Sequence, residues 1–200
     1  MKFLRFFASL LPVFLILGVL ATAASAKVTV GQKAPDFTSY DAISNDAVSL
    51  DSLLAAHRAV ILIFVSTQSI YSNGYNTRIE DIFNKYGESG VNIVGINSNE
   101  DESDQDVVEQ KFEHKLDFQI LKDNDNVVAD KYGATVTPEA FLIDTNGTII
   151  YHGRIDNSLE INKVKTHDLT DALDAYLAGK PILTPETKPF GDEIHRNGLQ

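Results

Sequence analysis

Ser69 and Ser72 stand three residues apart at the head of a segment, Ser69–Ser89, that carries a helical repeat of apolar residues. Hydroxyls at that spacing have two uses. One is N-capping, in which the side-chain oxygen takes a hydrogen bond from a backbone N–H that the first helical turn leaves unpaired. The other is nucleophilic catalysis, which needs a base and an oxyanion hole beside the hydroxyl. Five histidines are present, His57, His114, His152, His167 and His195, but none sits in a hydrolase phrase, and Gly-x-Ser-x-Gly is absent. Capping is the stronger reading for both serines. A His, Asp or Glu converging on Ser69 in the fold would favour catalysis.

Other polar clusters offer less. Glu100-Asp-Glu-Ser-Asp-Gln-Asp106 lacks the 12-residue spacing of an EF-hand and reads as the solvated start of a helix. Asp123-Asn-Asp-Asn126 is too short for a calcium loop and reads as a turn followed by a cap. His152 has Arg154 near it but no metal partner at ligand spacing. Asn146-Gly147-Thr148 fits a glycosylation acceptor, yet the same residues make a tight hairpin turn, which is sufficient. No metal and no cofactor is expected.

Cysteine is absent from all 200 residues. No disulfide, thiolate nucleophile or cysteine-ligated zinc can form. The start of the chain is basic, Phe6–Leu20 is nearly all apolar, and Ala24-Ser25-Ala26 has the small-x-small form of a cleavage site. Residues 1–26 therefore read as a secretory signal peptide, which implies export to a periplasmic or extracellular space without stable membrane insertion. Loss of Lys2 and Arg5 deepens the net charge from −11 to −13. Such a chain repels phosphate backbones, which excludes nucleic acid as a partner.

The elements follow from periodicity. Ala59-Val-Ile-Leu-Ile-Phe-Val65 is a β-branched run of the kind buried on both faces of a sheet. Further strands are expected at Val91–Ile96, Phe118–Leu121, Ala140–Asp144 and Thr148–His152, the last two joined by the Asn-Gly turn. Helices are expected at Ser52–His57, Ser69–Ser89, Glu100–Lys115, Asn126–Tyr132 and His167–Ala178, with an extended segment or hairpin over Lys27–Leu50. The order predicts one α/β domain, residues 27–180. Its early strands are parallel, an antiparallel hairpin closes it, and a tail at 181–200 lacks clear periodicity.

That order, with Thr137-Pro138 just before the hairpin, resembles the thioredoxin fold. Val30-Gly-Gln-Lys-Ala-Pro-Asp-Phe37, Val94-Gly-Ile-Asn-Ser-Asn99 and Val128-Ala-Asp-Lys-Tyr-Gly133 sharpen the resemblance. Val136-Thr-Pro138, Tyr151-His-Gly-Arg-Ile-Asp156 and the run from Asp171 to Pro181 extend it. Together they are similar to exported redoxins of the AhpC/TSA and TlpA type over essentially the whole mature chain. The resemblance implies a central mixed sheet flanked by helices, a cis proline at 138, and thiol-disulfide or peroxide chemistry. Its members carry a reactive cysteine in a pattern similar to Cys-Pro-x-Ser-Asn-x-Tyr-Asn and tend to end in Phe-Gly-Cys. Here the phrases are Ser69-Ile-Tyr-Ser-Asn-Gly-Tyr-Asn76 and Phe190-Gly-Asp192. Ser69, Ser72 and Asp192 are thus degenerate redox positions, and thiol catalysis is not expected. The resemblance also implies that Ser69, Tyr71, Thr137 and Pro138 line a groove where an extended peptide can add as a strand. The expected role is therefore a redox-inactive, polypeptide-binding module of the envelope. The alternatives are an enzyme with thiol-independent chemistry in the same pocket and a drifting paralogue without a selected role.

Overall fold

The computed structural model describes residues 28–196, so the expected signal peptide lies outside the described residues. The β-branched run forms β3 (Ala59–Val65), every residue of it buried. It lies between β4 (Val91–Asn97), paired in parallel, and β7 (Glu139–Asp144), paired antiparallel. β5 (Gln119–Lys122) continues the parallel side and β8 (Ile149–Gly153) completes the hairpin with β7. An N-terminal hairpin, β1 (Thr38–Asp41) and β2 (Ala47–Ser49), adds to β5 and gives the order β2-β1-β5-β4-β3-β7-β8. This is the expected thioredoxin-like α/β sandwich with a mixed sheet.

Alternation along β3 builds two cores. Ile61, Ile63 and Val65 face α2 (Ile70–Tyr86) and α5 (Asp168–Leu177) through Ile79, Ile82, Leu169 and Leu173. Val60, Leu62 and Phe64 face α1 (Leu50–Ala56) and α4 (Val127–Tyr132) through Leu53, Val128 and Tyr132. Each fully buried aliphatic side chain contributes about 1.5–3 kcal/mol, so β3 is the energetic centre of the sheet.

Caps set where the helices begin. Ser49 caps α1 in a reciprocal box with Ser52. α3 (Asp104–His114) begins later than the acidic run suggests, because Ser103 forms a capping box with Asp106. Asp104 and Asp106 are the acids of the first turn, exposed and half-buried respectively, but Glu102 lies outside the helix and is 3% exposed. The expectation of a wholly solvated acidic helix start is corrected there. Asp123 caps α4 through the N–H groups of Val128 and Ala129, as the turn-and-cap reading expects.

The segment after α5 joins the domain. Pro185 and Thr187 exchange backbone bonds with His152 at the β8 edge. Asp192–Glu193 forms β9, antiparallel to β6 (Val136–Thr137) in a second, two-stranded sheet. Ile194 is buried in the apolar cluster that includes Phe37 and Tyr132. Among the described residues, no helix is long and apolar enough to cross a membrane.

Candidate functional site

Two loops meet at Ser69. The first, residues 66–69, leaves β3 and starts α2. The second, residues 134–138, leaves α4 and enters β7 through the Thr137–Pro138 bond, which is cis as expected.

A buried carboxylate holds the first loop. Glu102 accepts from the Ser66 hydroxyl, from Thr67 N–H at 2.7 Å and from Gln68 N–H at 3.2 Å. It also accepts from the side-chain amides of Asn97 and Asn99. Ser66 Oγ in turn accepts from the N–H of Gln68 and of Ser69. Lys122 donates to Asn97 Oδ1 and the Asn99 carbonyl, both at 2.7 Å. Burial lowers the Lys122 ammonium below its usual range, against the pull of Glu102 and neighbouring acids. A carboxylate in an apolar interior is costly unless its lone pairs are filled, and here five donors fill them.

A second buried carboxylate holds the second loop. Glu139, wholly buried at the start of β7, accepts from Thr135 N–H at 2.9 Å and Val136 N–H at 3.4 Å. Its other oxygen lies 2.6 Å from His152 Nε2, and the imidazole stacks on Phe141. Burial pushes the Glu139 carboxyl up, but the His152 bond and the loop N–H groups outweigh it and leave it below the usual range. His152 is therefore a structural partner of Glu139, consistent with the lack of ligand spacing in the sequence.

Ser69 sits at the N-cap of α2 and takes the Ser72 N–H at 3.0 Å, the capping role expected for it. Ser72 does not cap. It is buried one turn in, and its Oγ accepts from Ser66 N–H at 2.9 Å, tying the loop to the helix; the capping expectation for Ser72 is corrected. The Ser69 hydroxyl donates to Asp192 Oδ2 at 2.7 Å, across a sequence separation of 123 residues. The two substituted positions thus touch.

The tail around Asp192 fills the edge of the second loop. Thr137 pairs with Asp192 and Val136 with Glu193 in the strand register. Gly191 passes so close that a Cβ there would lie 2.0 Å from the Thr137 carbonyl oxygen, so no side chain fits. Phe190 meets Tyr71 and Tyr75 edge-on, with ring centroids 6.0 and 6.4 Å apart. Ile194 N–H donates to the Thr135 carbonyl. His195 N–H donates to Asn99 Oδ1 at 2.7 Å, which links the tail to the Glu102 cluster.

The expected binding residues are therefore adjacent, but their edge is occupied from within the chain. Ser69 and Thr137 are buried beneath the tail, Pro138 is buried beside them, and Tyr71 borders Phe190. Thr137 works through its backbone; its buried hydroxyl has no hydrogen-bond partner among the described residues. Ile70, in the place that the resemblance assigns to proline, is 76% exposed at the rim.

Chemically, Asp192 meets the condition that an acid converge on Ser69. The pair nevertheless lacks an imidazole: among the described residues His195 binds Asp101 and His152 binds Glu139. One Ser69 lone pair is also committed to the helix cap. The arrangement places a carboxylate, and no imidazole among the described residues, on a hydroxyl that also serves as a helix cap.

Sequence reasoning missed Glu102, Glu139, Phe190 and Ile194. Two carried a signal: Glu102 immediately precedes the capping box that begins at Ser103, and Glu139 opens a strand that is apolar from Ala140 to Ile143.

Residues 30–152 match the family model described as AhpC/TSA family. The chain belongs to the AhpC/TSA family. It is similar to the thiol-disulfide oxidoreductase ResA of Bacillus anthracis, 27% identical over 124 residues, 62% of this chain and 69% of the relative. It is also similar to a putative peroxiredoxin bcp of Coxiella burnetii, 30% identical over 137 residues, 61% of this chain and 85% of the relative. A solved hypothetical protein of Sinorhizobium meliloti superposes with a TM-score of 0.78 at 28% identity, covering 87% of this chain and 98% of its own. An uncharacterized conserved protein of Geobacillus kaustophilus superposes at 0.80 and 24% identity, covering 86% and 94%. This AhpC/TSA member differs from thiol chemistry in the decisive atom. A helix N-terminus stabilises a thiolate well below a pKa of ~8.5. A serine hydroxyl there stays neutral and cannot form a disulfide.

Proposed function

We propose that this cysteine-free AhpC/TSA protein is a redox-inactive, polypeptide-binding module of the cell envelope. The single observation that supports the reading is strand addition at Val136–Thr137. The edge beside Pro138 accepts an extended segment, here Asp192–Glu193, through backbone bonds that require no thiol. The carboxylate clamps on both loops fit a site whose shape is held without any thiol. Export through residues 1–26 belongs to the same proposal.

Two measurements test it together. With insulin disulfides or hydrogen peroxide as substrate, the chain from Lys27 onward is expected to give no turnover above buffer. With a reduced and alkylated unfolded polypeptide as probe, it is expected to bind, and binding is expected to slow backbone hydrogen exchange at residues 135–138. Turnover of either substrate would overturn the redox-inactive reading. Absence of binding after the tail has been released would overturn the binding reading.

A further inference from the structure

Resting on the binding role proposed above, we infer that the tail is the resident ligand of the groove. Its residues 190–194 define the segment the groove selects in trans: aromatic, glycine, acidic, any residue, aliphatic. Each position is read from a contact. Phe190 packs on Tyr71 and Tyr75. Position 191 must be glycine because its Cβ would strike the Thr137 carbonyl oxygen. Asp192 takes the Ser69 hydroxyl. Glu193 is exposed and free to vary. Ile194 enters the apolar cluster and donates its N–H to Thr135. A thiolate at position 69 would repel an acidic side chain, whereas the neutral hydroxyl donates to it. The loss of cysteine thus converts a redox position into an acid-recognising one.

The exchange this inference requires starts at a ladder only two residues long, with Asp192 and Glu193 exposed, and must also release the Phe190, Ile194 and His195 contacts at its ends. Short, solvent-facing pairings open at little cost. A segment of the same pattern on another polypeptide reproduces every contact once the tail lifts. Its apparent affinity is its intrinsic affinity reduced by the fraction of time the groove stands open.

The test uses a dye-labelled synthetic peptide with the sequence of residues 188–196, a scrambled peptide and the chain from Lys27 onward. Fluorescence anisotropy reports binding, and hydrogen exchange reports whether residues 190–196 of the chain itself are docked. Gly191→Val is expected to expel the tail and tighten binding of the peptide at least about tenfold over the unaltered chain. Phe190→Ala with Asp192→Ala removes two side-chain anchors without a clash and is expected to act in the same direction. On the unaltered chain, saturating peptide is expected to speed exchange of the resident tail. Peptides carrying valine for the glycine, or alanine for the aspartate, are expected to bind at least about tenfold more weakly. If the released groove takes the scrambled peptide equally well, the sequence preference is overturned while general polypeptide binding survives. Binding of the peptide without any disturbance of the resident tail overturns the preference in the same way. If the released groove takes neither peptide nor the unfolded polypeptide, the proposed function itself falls.

Discussion

The loop at residues 66–69, which ends at Ser69, meets the loop at residues 134–138 there, and each is tied down by a buried glutamate. Their means of holding that charge differ. Glu102 is surrounded by five donors from a hydroxyl, two backbone N–H groups and two asparagine amides, with Lys122 behind the asparagines. Glu139 has two backbone N–H groups, the Thr135 hydroxyl at 3.5 Å and one imidazole. The first arrangement satisfies the carboxylate with many neutral dipoles. The second ties it to the His152 imidazole at 2.6 Å. The tail joins both loops, through Ser69–Asp192 on one side and Thr137–Asp192 on the other, beside a direct 3.5 Å bond from the Ser69 hydroxyl to the Thr137 carbonyl.

Breaking the first clamp should have the largest effect. Glu102→Ala orphans two loop N–H groups, the Ser66 hydroxyl and two asparagine amides, and removes the strongest of the acids that pull on Lys122. The expected loss is about 4 kcal/mol in urea unfolding, as several buried donors lose a charged acceptor. Locking the bridge should come next, with the opposite sign. Ser69→Cys combined with Asp192→Cys places two thiols where a 2.7 Å side-chain bond now joins the positions. Oxidation by diamide is expected to join them with loss of two hydrogens, seen by intact mass. The expected stabilisation is about 3 kcal/mol relative to the reduced double variant.

Glu139→Gln tests the second clamp and should cost about 2 kcal/mol, because charge-assisted bonds to Thr135 and Val136 become neutral ones. The pH dependence distinguishes it further. Glu139 is held below its usual value of 4.5, so its stabilisation is complete above that value and is lost as pH falls through the lower folded value. Acid titration of unfolding free energy should therefore be flatter in Glu139→Gln than in the unaltered protein. Ser69→Ala removes a helix cap and the tail's side-chain anchor, with an expected loss of about 1 kcal/mol. It should also speed hydrogen exchange at residues 190–196.

The smallest effect belongs to the outer end of the tail. His195 is raised above its usual 6.5 by its bond to Asp101, helped by Glu102 and Asp192. That contact is strongest below 6.5 and fades as pH rises through the folded value. Exchange protection of residues 194–196 should fall correspondingly, and Asp101→Asn should remove the dependence.

Much of the scaffold is legible because it depends on neighbours in sequence. The β-branched run at residues 59–65, the Asn-Gly turn at 146–147 and the cap at Ser69 each state a local preference, and the fold obeys all three. Ser72 and Glu102 mislead a local reading for one reason. Their sequence neighbourhoods suit a cap and a solvated acid, but long-range contacts bury both among partners from other elements. The tail shows no periodicity because β9 is two residues long, too short for any repeat to emerge.

The amino-acid sequence by itself excluded thiol chemistry, since that follows from a count of cysteines and no folding can restore a missing sulfur. It also determined the layered α/β order, through strand and helix periodicities that are local. The tertiary structure alone decided that Ser69 and Asp192 meet, that two buried glutamates hold the loops around them, and that the tail pairs with Val136–Thr137. Those facts join residues up to 123 positions apart, and such contacts depend on how the packed sheet routes the chain, which no local preference encodes.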